Sequence, residues 1–336
     1  MLRTLKSTQS GKRLLGDIQN IFEKGRIYLR NDKTILFVCG GPIDSFKTEK
    51  KGQLSKFRRW SQLRSLLTPL KPTKQSQREK FLVWAAREIP DFVCLLAEDA
   101  LNNNFVGENR EFVNLSQFES VVAFVADGVL IFPESPGSHA EIGFFSNSPR
   151  ISRKTLVANL IEFQTEASFL NRGPIHQISS GKDPTFLPPV HLTKINGEVD
   201  FAPIRDRLRS EFRDAREPQH LLYGKFGKLN FKERLCVTFE MIRLLEPVDL
   251  STLRYVIGQC FKTTPPLDKD LRHLLRILMA LNYVERVRAH QHFRIVPGTA
   301  MADFEKVDWE TVVARVKEHY SEHFPLSSSI MSGRSA

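Results

Sequence analysis

The residues best suited to chemistry lie in one run, Ile131-Phe132-Pro133-Glu134-Ser135-Pro136-Gly137-Ser138-His139-Ala140-Glu141-Ile142-Gly143. An apolar, β-branched stretch (GVLIF, 128–132) enters a Pro/Ser/Gly turn, and the turn enters a helical pattern. Free backbone N–H groups at a helix start favour an anionic or polar ligand group. Gly137 allows a ligand close to the backbone. Glu141 falls in the first turn of the predicted helix and can face the same pocket. The same residues have a second reading: Ser138-x-x-Glu141 is a capping-box pattern, in which both side chains satisfy the first helical amides. Local pattern leaves the two readings open. Two other predicted strands end on residues of the same kind. TILFV (34–38) runs into Cys39-Gly40-Gly41, and FVCLLA (92–97) runs into Glu98-Asp99. Asp127 stands one residue before the third strand.

The elements that must position these residues alternate. Thr155 to Leu160 is a fourth strand, and helical patterns separate the strands. Such alternation predicts an α/β fold, a Rossmann-like parallel sheet with helices on its faces. Ligands bind beyond the carboxyl ends of the strands in such sheets, so the three strand ends form the candidate site. The chain has neither a GxGxxG fingerprint nor a GxxxxGK[ST] loop. An ordinary NAD dehydrogenase and a P-loop NTPase are therefore disfavoured. Residues 181–204, with four prolines and little periodicity, read as a linker or covering loop.

Beyond them, three amphipathic helices (231–245, 250–258 and 268–281) precede an alternating stretch, Arg286 to Val296. That order predicts an α+β winged helix-turn-helix domain whose third helix would enter a major groove. Lys269, Arg272, His273 and Arg276 would form its basic face, and Arg286, Arg288, His290, His292 and Arg294 the wing. The alternative use of the same fold is protein contact alone. The predicted organisation is a basic helical segment (1–30), a sheet domain (31–215), a winged-helix domain (216–325) and a disordered tail (326–336).

The chain has 336 residues, 41% hydrophobic and 26% charged, which is ordinary globular composition. Collagen, coiled coil, pure disorder and disulfide scaffolds are excluded. No stretch approaches about 18 consecutive apolar residues, so no membrane span or membrane partner is expected. The first thirty residues lack the apolar core of a secretory signal. Four scattered cysteines without a CxxC pair suit a reducing, cytoplasmic compartment and give no metal site. Net charge is +11, unevenly spread: residues 1–80 carry 19 basic and 6 acidic groups, residues 81–204 carry 8 and 15, and residues 205–294 carry 18 and 11. Two basic blocks around an acidic middle point to a polyanion partner, against the plainer reading of a solvated surface. His319-Tyr320-Ser321-Glu322-His323 matches the HxxEH string, but nothing after it could supply a third zinc ligand. Cys39 reads as a buried thiol, and Glu119 faces either the pocket or solvent.

FVCGG (37–41), LLAEDA (95–100) and LIFPESPGSHAEIGFFSN (130–147) resemble retron effector proteins. The effectors meant are those with a nucleoside deoxyribosyltransferase-like domain followed by a winged-helix DNA-binding domain. The resemblance runs from about residue 34 to the winged helix. It implies cleavage or transfer at an N-glycosidic bond of a nucleotide. Glu141, in the shared Glu141-Ile142-Gly143 element, would be the nucleophile, and Asp127 the acid that assists the leaving base. Cys39, Gly40, Gly41, Glu134, Ser135, Gly137 and Ser138 would hold sugar or phosphate, with Glu98 and Asp99 beside the ribose. It further implies an antiviral toxin with no cofactor, for which NAD or a deoxynucleotide or DNA base is the substrate. Its partners would be the retron reverse transcriptase and branched multicopy single-stranded DNA (msDNA), in an oligomeric complex. The rival reading is an inactive fold of the same type that senses a nucleotide. A third is a structural subunit that packages DNA through the 47–80 basic block.

Overall fold

A computed structural model describes residues 2–30, 32–43, 75–101, 115–164, 167–179, 188–212, 219–262, 267–287 and 292–323, with backbone only at 267–269. The predicted helix within 45–80 up to residue 74, the wing tip with Arg288 and His290, and the tail 326–336 lie outside the described residues. In chain order the strands are β1 (Arg26–Leu29), β2 (Thr34–Cys39), β3 (Phe92–Leu95), β4 (Gly128–Ile131), β5 (Thr155–Leu160), β6 (Val190–Leu192), β7 (Lys194–Ile195), β8 (Glu198–Val199), β9 (Gln219–His220), β10 (Val248–Asp249), β11 (Val284–Val287), β12 (His292–Ile295) and β13 (Ala302–Glu305). The chain forms two compact units. One comprises Met1–Asn31, Ala97–Val121 and Glu217–Ala336, and the other Asp32–Leu96 and Val122–Arg216.

The second unit holds a five-stranded parallel sheet in the order β3-β2-β4-β5-β6. All six residues of β2 are buried, as an apolar β-branched run flanked by two neighbours requires. Leu36, Val38, Leu130, Phe132, Leu156 and Ala158 form one apolar face. It packs with Phe81, Leu82 and Ala85 of helix Gln77–Glu88 and with Ile204, Leu208 and Phe212 of helix Ala202–Phe212. On the other face Phe37 meets Phe145 of helix Pro136–Ser146 edge to face, ring centroids 6.2 Å apart. The chain leaves β2 towards β3 and returns to the far side of β2 as β4. The order therefore reverses between β2 and β4, and a crevice opens there at the carboxyl ends.

Residues 181–204, predicted as a linker, instead contain β6, the fifth sheet strand, and the β7–β8 hairpin. A three-residue strand just after Pro188-Pro189 is too short to leave a two-residue rhythm. Asn196 and Gly197 turn the hairpin at φ 53° and 85°, the conformation that an Asn-Gly turn provides.

In the first unit, helix Phe231–Leu245 leads through β10 to helices Leu250–Cys260 and Leu267–Ala280, then to β11 and β12. The three strands pair antiparallel in the order β10-β12-β11. The predicted order of three helices and a ribbon is present, with β10 as an added strand. Residues 1–30 are built into this unit and do not stand apart. β1 lies between β13 and β9, and Arg315 bonds Asp17 of helix Gln9–Lys24 at 2.6 Å.

Glu240 is fully buried on helix Phe231–Leu245, where its carboxylate accepts the N–H groups of Met301 (3.2 Å) and Ala302 (3.0 Å). Arg243 lies 2.7 Å away. Burial outweighs these contacts and pushes the carboxyl from 4.5 up to about 7. The folded state thus holds the proton more tightly than the unfolded chain, and this contribution to stability is lost as pH rises from about 4.5 to 7. Relative to wild type, Glu240→Gln is expected to gain unfolding free energy across that window, on the order of 3 kcal/mol at most. Urea melts at several pH values test this, and parallel pH profiles for the two proteins would contradict it.

Candidate active site

Glu134 is the hub of the β2–β4 crevice. Its carboxylate accepts backbone N–H groups from Gly41 (3.0 Å), Gln77 (2.6 Å) and Arg78 (2.9 Å). Two of these donors are first-turn amides of helix Gln77–Glu88, where a negative charge is favourable. The buried Arg78 guanidinium donates back to the Gly41 carbonyl at 3.4 Å. A Cβ on Gly40 would come within 2.8 Å of Arg78 Cβ, and one on Gly41 within 2.9 Å of Ser76 Cβ. These glycines therefore let helix and loop approach each other. Within the chain the spaces they leave are filled by Ser76, Arg78 and Glu134.

Ser135 is the N-cap of helix Pro136–Ser146, with Pro136 at the first helical position. Ser135 Oγ accepts the Ser138 N–H (3.1 Å), and Ser138 Oγ accepts the N–H groups of Glu134 (3.2 Å) and Ser135 (3.0 Å). The capping box is thus Ser135 with Ser138, three residues earlier than the pattern Ser138-x-x-Glu141. Glu141 is not the capping carboxylate. It sits in the second turn, not the first, and is half-buried. A Cβ on Gly137 would meet only Ser135 Oγ, at 3.7 Å, so this exposed glycine leaves open space beside the turn.

Asp127 lies elsewhere. Its Oδ2 accepts the Ile35 N–H at 2.8 Å and its own N–H donates to the Ile35 carbonyl at 2.7 Å. Both residues are at the amino ends of β2 and β4, whereas the loop to Glu141 leaves the carboxyl end of β4. The four residues of β4, at about 3.3 Å each, put roughly 13 Å of strand between the two ends. The structure does not bring the predicted pair of acids together, and Asp127 extends the β2–β4 ladder. Cys39 is buried, and its carbonyl accepts the Phe132 N–H at 3.0 Å. Glu98 and Asp99 belong to helix Ala97–Leu101 of the other unit.

The predicted groove-facing helix also differs from expectation. Arg276 and His273 are only 6% and 5% exposed. The His273 ring packs edge-on against Phe118, centroids 5.4 Å apart, and helix Ala97–Leu101 packs against the same helix. The segment inserted between β3 and β4 therefore covers residues read as a basic face. Arg272 is half-buried, and the Lys269 side chain lies outside the described residues. Arg286 is half-buried on β11, and Arg294 pairs with Glu285 across the ribbon at 2.7 Å. His319 of the HxxEH string is buried, 3.2 Å from Thr4 Oγ1 and stacked on His323. Among the described residues no cluster of His, Cys, Asp or Glu could hold a metal, and no helix is long and apolar enough to cross a membrane.

The family described as STM3845 retron effector protein matches residues 74–286, well over half of the chain. The chain belongs to this retron effector family. Two Escherichia coli relatives, of retrons Ec86 and Ec73, each carry the name "putative ribosyltransferase/DNA-binding protein". The first is 26% identical over 158 residues, 47% of this chain and 41% of that protein, so the effector matches less than half of the Ec86 relative's length. The second is 25% identical over 223 residues, 62% of this chain and 69% of that protein. The family match covers the whole run from helix Gln77–Glu88 through Glu134 and Glu141 to β11.

Arg78 and Ser76 complete the effector's crevice but were missed in the sequence, since neither stands at a strand end. Glu134→Gln leaves one carbonyl oxygen for three amides. It is expected to destabilise the protein by about 0.5–1.5 kcal/mol in urea unfolding, since the contact is only part-buried. A change below about 0.5 kcal/mol would contradict the clamp, since surface substitutions away from such features fall in that range.

Proposed function

We propose that this retron effector cleaves or transfers at an N-glycosidic bond of a nucleotide, with Glu141 as the nucleophile. The observation that carries the reading is the cap. Ser135 and Ser138 satisfy the helix start, so Glu141 has no part in the cap and lies half-buried in the second turn of a helix that begins beyond the carboxyl end of β4. Its carboxylate attacks the sugar C1 as oxocarbenium character develops, and the C–N bond breaks with its electrons leaving on the base. Water or an acceptor base then resolves the glycosyl ester. The open space beside Gly137 admits the sugar or its phosphate. Asp127, at the far end of the sheet, takes no part. The substrate is NAD or a deoxynucleotide or DNA base. The names of the relatives, which join ribosyltransferase with DNA binding, agree with this class.

In the same reading the three-helix and ribbon unit is a winged helix-turn-helix that binds nucleic acid. The effector acts as an antiviral toxin in the cytoplasm, held in check by the retron reverse transcriptase and msDNA in an oligomeric complex. The position of Asp127 favours one rival, a nucleotide sensor without turnover, because no second acid is assigned beside Glu141.

The test is free-base release followed by mass spectrometry. Wild type and Glu141→Gln are each incubated with NAD, deoxynucleosides and single-stranded DNA, as the isolated chain and as the retron complex stripped of nucleic acid. Base release by wild type, reduced about a thousandfold or more by Glu141→Gln, is expected for loss of a nucleophile. Equal release by both proteins would remove Glu141 from the chemistry. Nucleotide binding without release under any condition would establish the sensor.

A further inference from the structure

Four cations gather where the first two helices cross. Helix Leu2–Ser7 leads into Thr8, which caps helix Gln9–Lys24 and accepts the Gly11 N–H at 3.0 Å. A Cβ on Gly11 would lie 2.6 Å from the Thr4 carbonyl oxygen and 2.7 Å from Leu5 Cα, so only a glycine lets the two backbones come this close. Arg3 and Lys6 flank Thr4 and Leu5, and Lys12 and Arg13 directly follow Gly11. Each of the four is thus within two positions of one backbone contact, roughly 8 Å along the chain at most. All four are exposed. The Lys6 ammonium stands 4.9 Å above the Tyr255 ring, which ties the first helix to helix Leu250–Cys260.

No carboxylate offsets them. Residues 2–16 contain no Asp or Glu. Among the described residues none of the four forms an ion pair, and Asp17, the nearest acid in sequence, is held by Arg315 at 2.6 Å. The charges also oppose the helix that carries them. The first turn of helix Gln9–Lys24 has no acid, and Lys12 and Arg13 stand near its amino end, where the helix dipole favours anions over cations. Charges set against local preference, with no offset inside the fold, are expected at functional sites. The neighbours decide between polyanions. The exposed residues among positions 3–13 are the four cations with Ser7, Gln9 and Ser10. Leu5, Leu14 and Ile18 are buried inside the unit, at most 3% exposed. A membrane surface would need apolar side chains to insert beside the cations, and none is exposed there. A phosphate backbone is contacted by this set of residue types, Arg and Lys with Ser and Gln.

We propose that this crossing of the first two helices is a docking surface for the phosphate backbone of a nucleic acid. The proposal rests on the nucleic-acid reading of this unit given above. What it adds is the surface, which includes no residue of the third helix or the ribbon. Phosphate contacts fix position and carry no base readout, so the surface holds nucleic acid without regard to sequence. Each cation that meets a phosphate releases condensed counterions, which makes the binding steeply salt-dependent.

The test is fluorescence anisotropy of the full chain, freed of co-purifying nucleic acid, with labelled duplex and single-stranded DNA over a range of salt. Each lost phosphate contact lowers the slope of log affinity against log salt by about 0.9 on duplex and about 0.7 on single strands. The double variant Lys12→Gln/Arg13→Gln is expected to lose about 1.4–1.8 of slope and roughly tenfold or more in affinity at low salt, equally for unrelated sequences. Lys12→Arg/Arg13→Lys keeps both charges and is expected to bind like wild type. The control Arg87→Gln/Arg150→Gln removes two exposed cations of the sheet unit and is expected to leave the slope unchanged. If the double variant fails to fold, the single variants Lys12→Gln and Arg13→Gln carry the test, each with about half the change in slope. Equal effects of the two double variants, or unchanged binding in folded Lys12 and Arg13 variants, would overturn the surface while leaving nucleic-acid binding in place. Absence of DNA binding by wild type at every salt concentration would end both. Binding to phosphatidylglycerol vesicles that DNA does not displace would overturn the assignment in favour of a membrane.

Discussion

One carboxylate under three backbone amides holds the crevice of the sheet unit together. Glu134 follows β4, yet its donors come from the loop after β2 and from the start of helix Gln77–Glu88. Without that charge, three N–H groups around one point, two of them in part-buried contacts, would lack their acceptor in the protein. The Gly40-Gly41 turn, the close approach of Arg78 and the direction in which the chain enters Ser135 all follow from this contact. Once Ser135 caps helix Pro136–Ser146, the side chain of Glu141 is carried into the second turn, away from the amides that a carboxylate would otherwise occupy. Two acids of one loop-helix run thereby take different parts: Glu134 joins the loop after β2 to helix Gln77–Glu88, and Glu141 has no part in the cap.

The same economy of position governs the other unit. Glu240 bonds the start of β13 from within a helix, and β13 in turn pairs with β1 near the start of the chain. Segment Ala97–Val121 begins directly after β3 but belongs to this unit, where Phe118 packs on His273. A helix whose basic residues looked suited to a groove is therefore partly an interior helix. Arg276 and His273 are accordingly buried within the unit.

Much of the sheet was legible because buried parallel strands read as continuous apolar runs. Thr34–Cys39, Phe92–Leu95, Gly128–Ile131 and Thr155–Leu160 each stand out in that way. β6 did not, because three residues after two prolines carry no period, although Asn196-Gly197 advertised the hairpin beyond it. The loop before Glu141 was recognisable, but its cap was assigned to the wrong serine. Two serines three apart can each start a helix, and only the hydrogen bonds to Glu134 and Ser135 separate them. Asp127 was misplaced because sequence adjacency to a strand does not state which end of the sheet the residue occupies relative to the ligand.

Nucleophilic catalysis at Glu141 requires a bond between its carboxylate and the sugar. The most direct measurement is to react the protein with a 2′-fluoro analogue of its nucleotide substrate, which slows breakdown of a glycosyl ester, and to map the adduct by peptide mass spectrometry. For a glutamate nucleophile one sugar-sized mass addition is expected, located on Glu141 within the helix Pro136–Ser146. An adduct on Glu134 or on any residue outside that helix would contradict it.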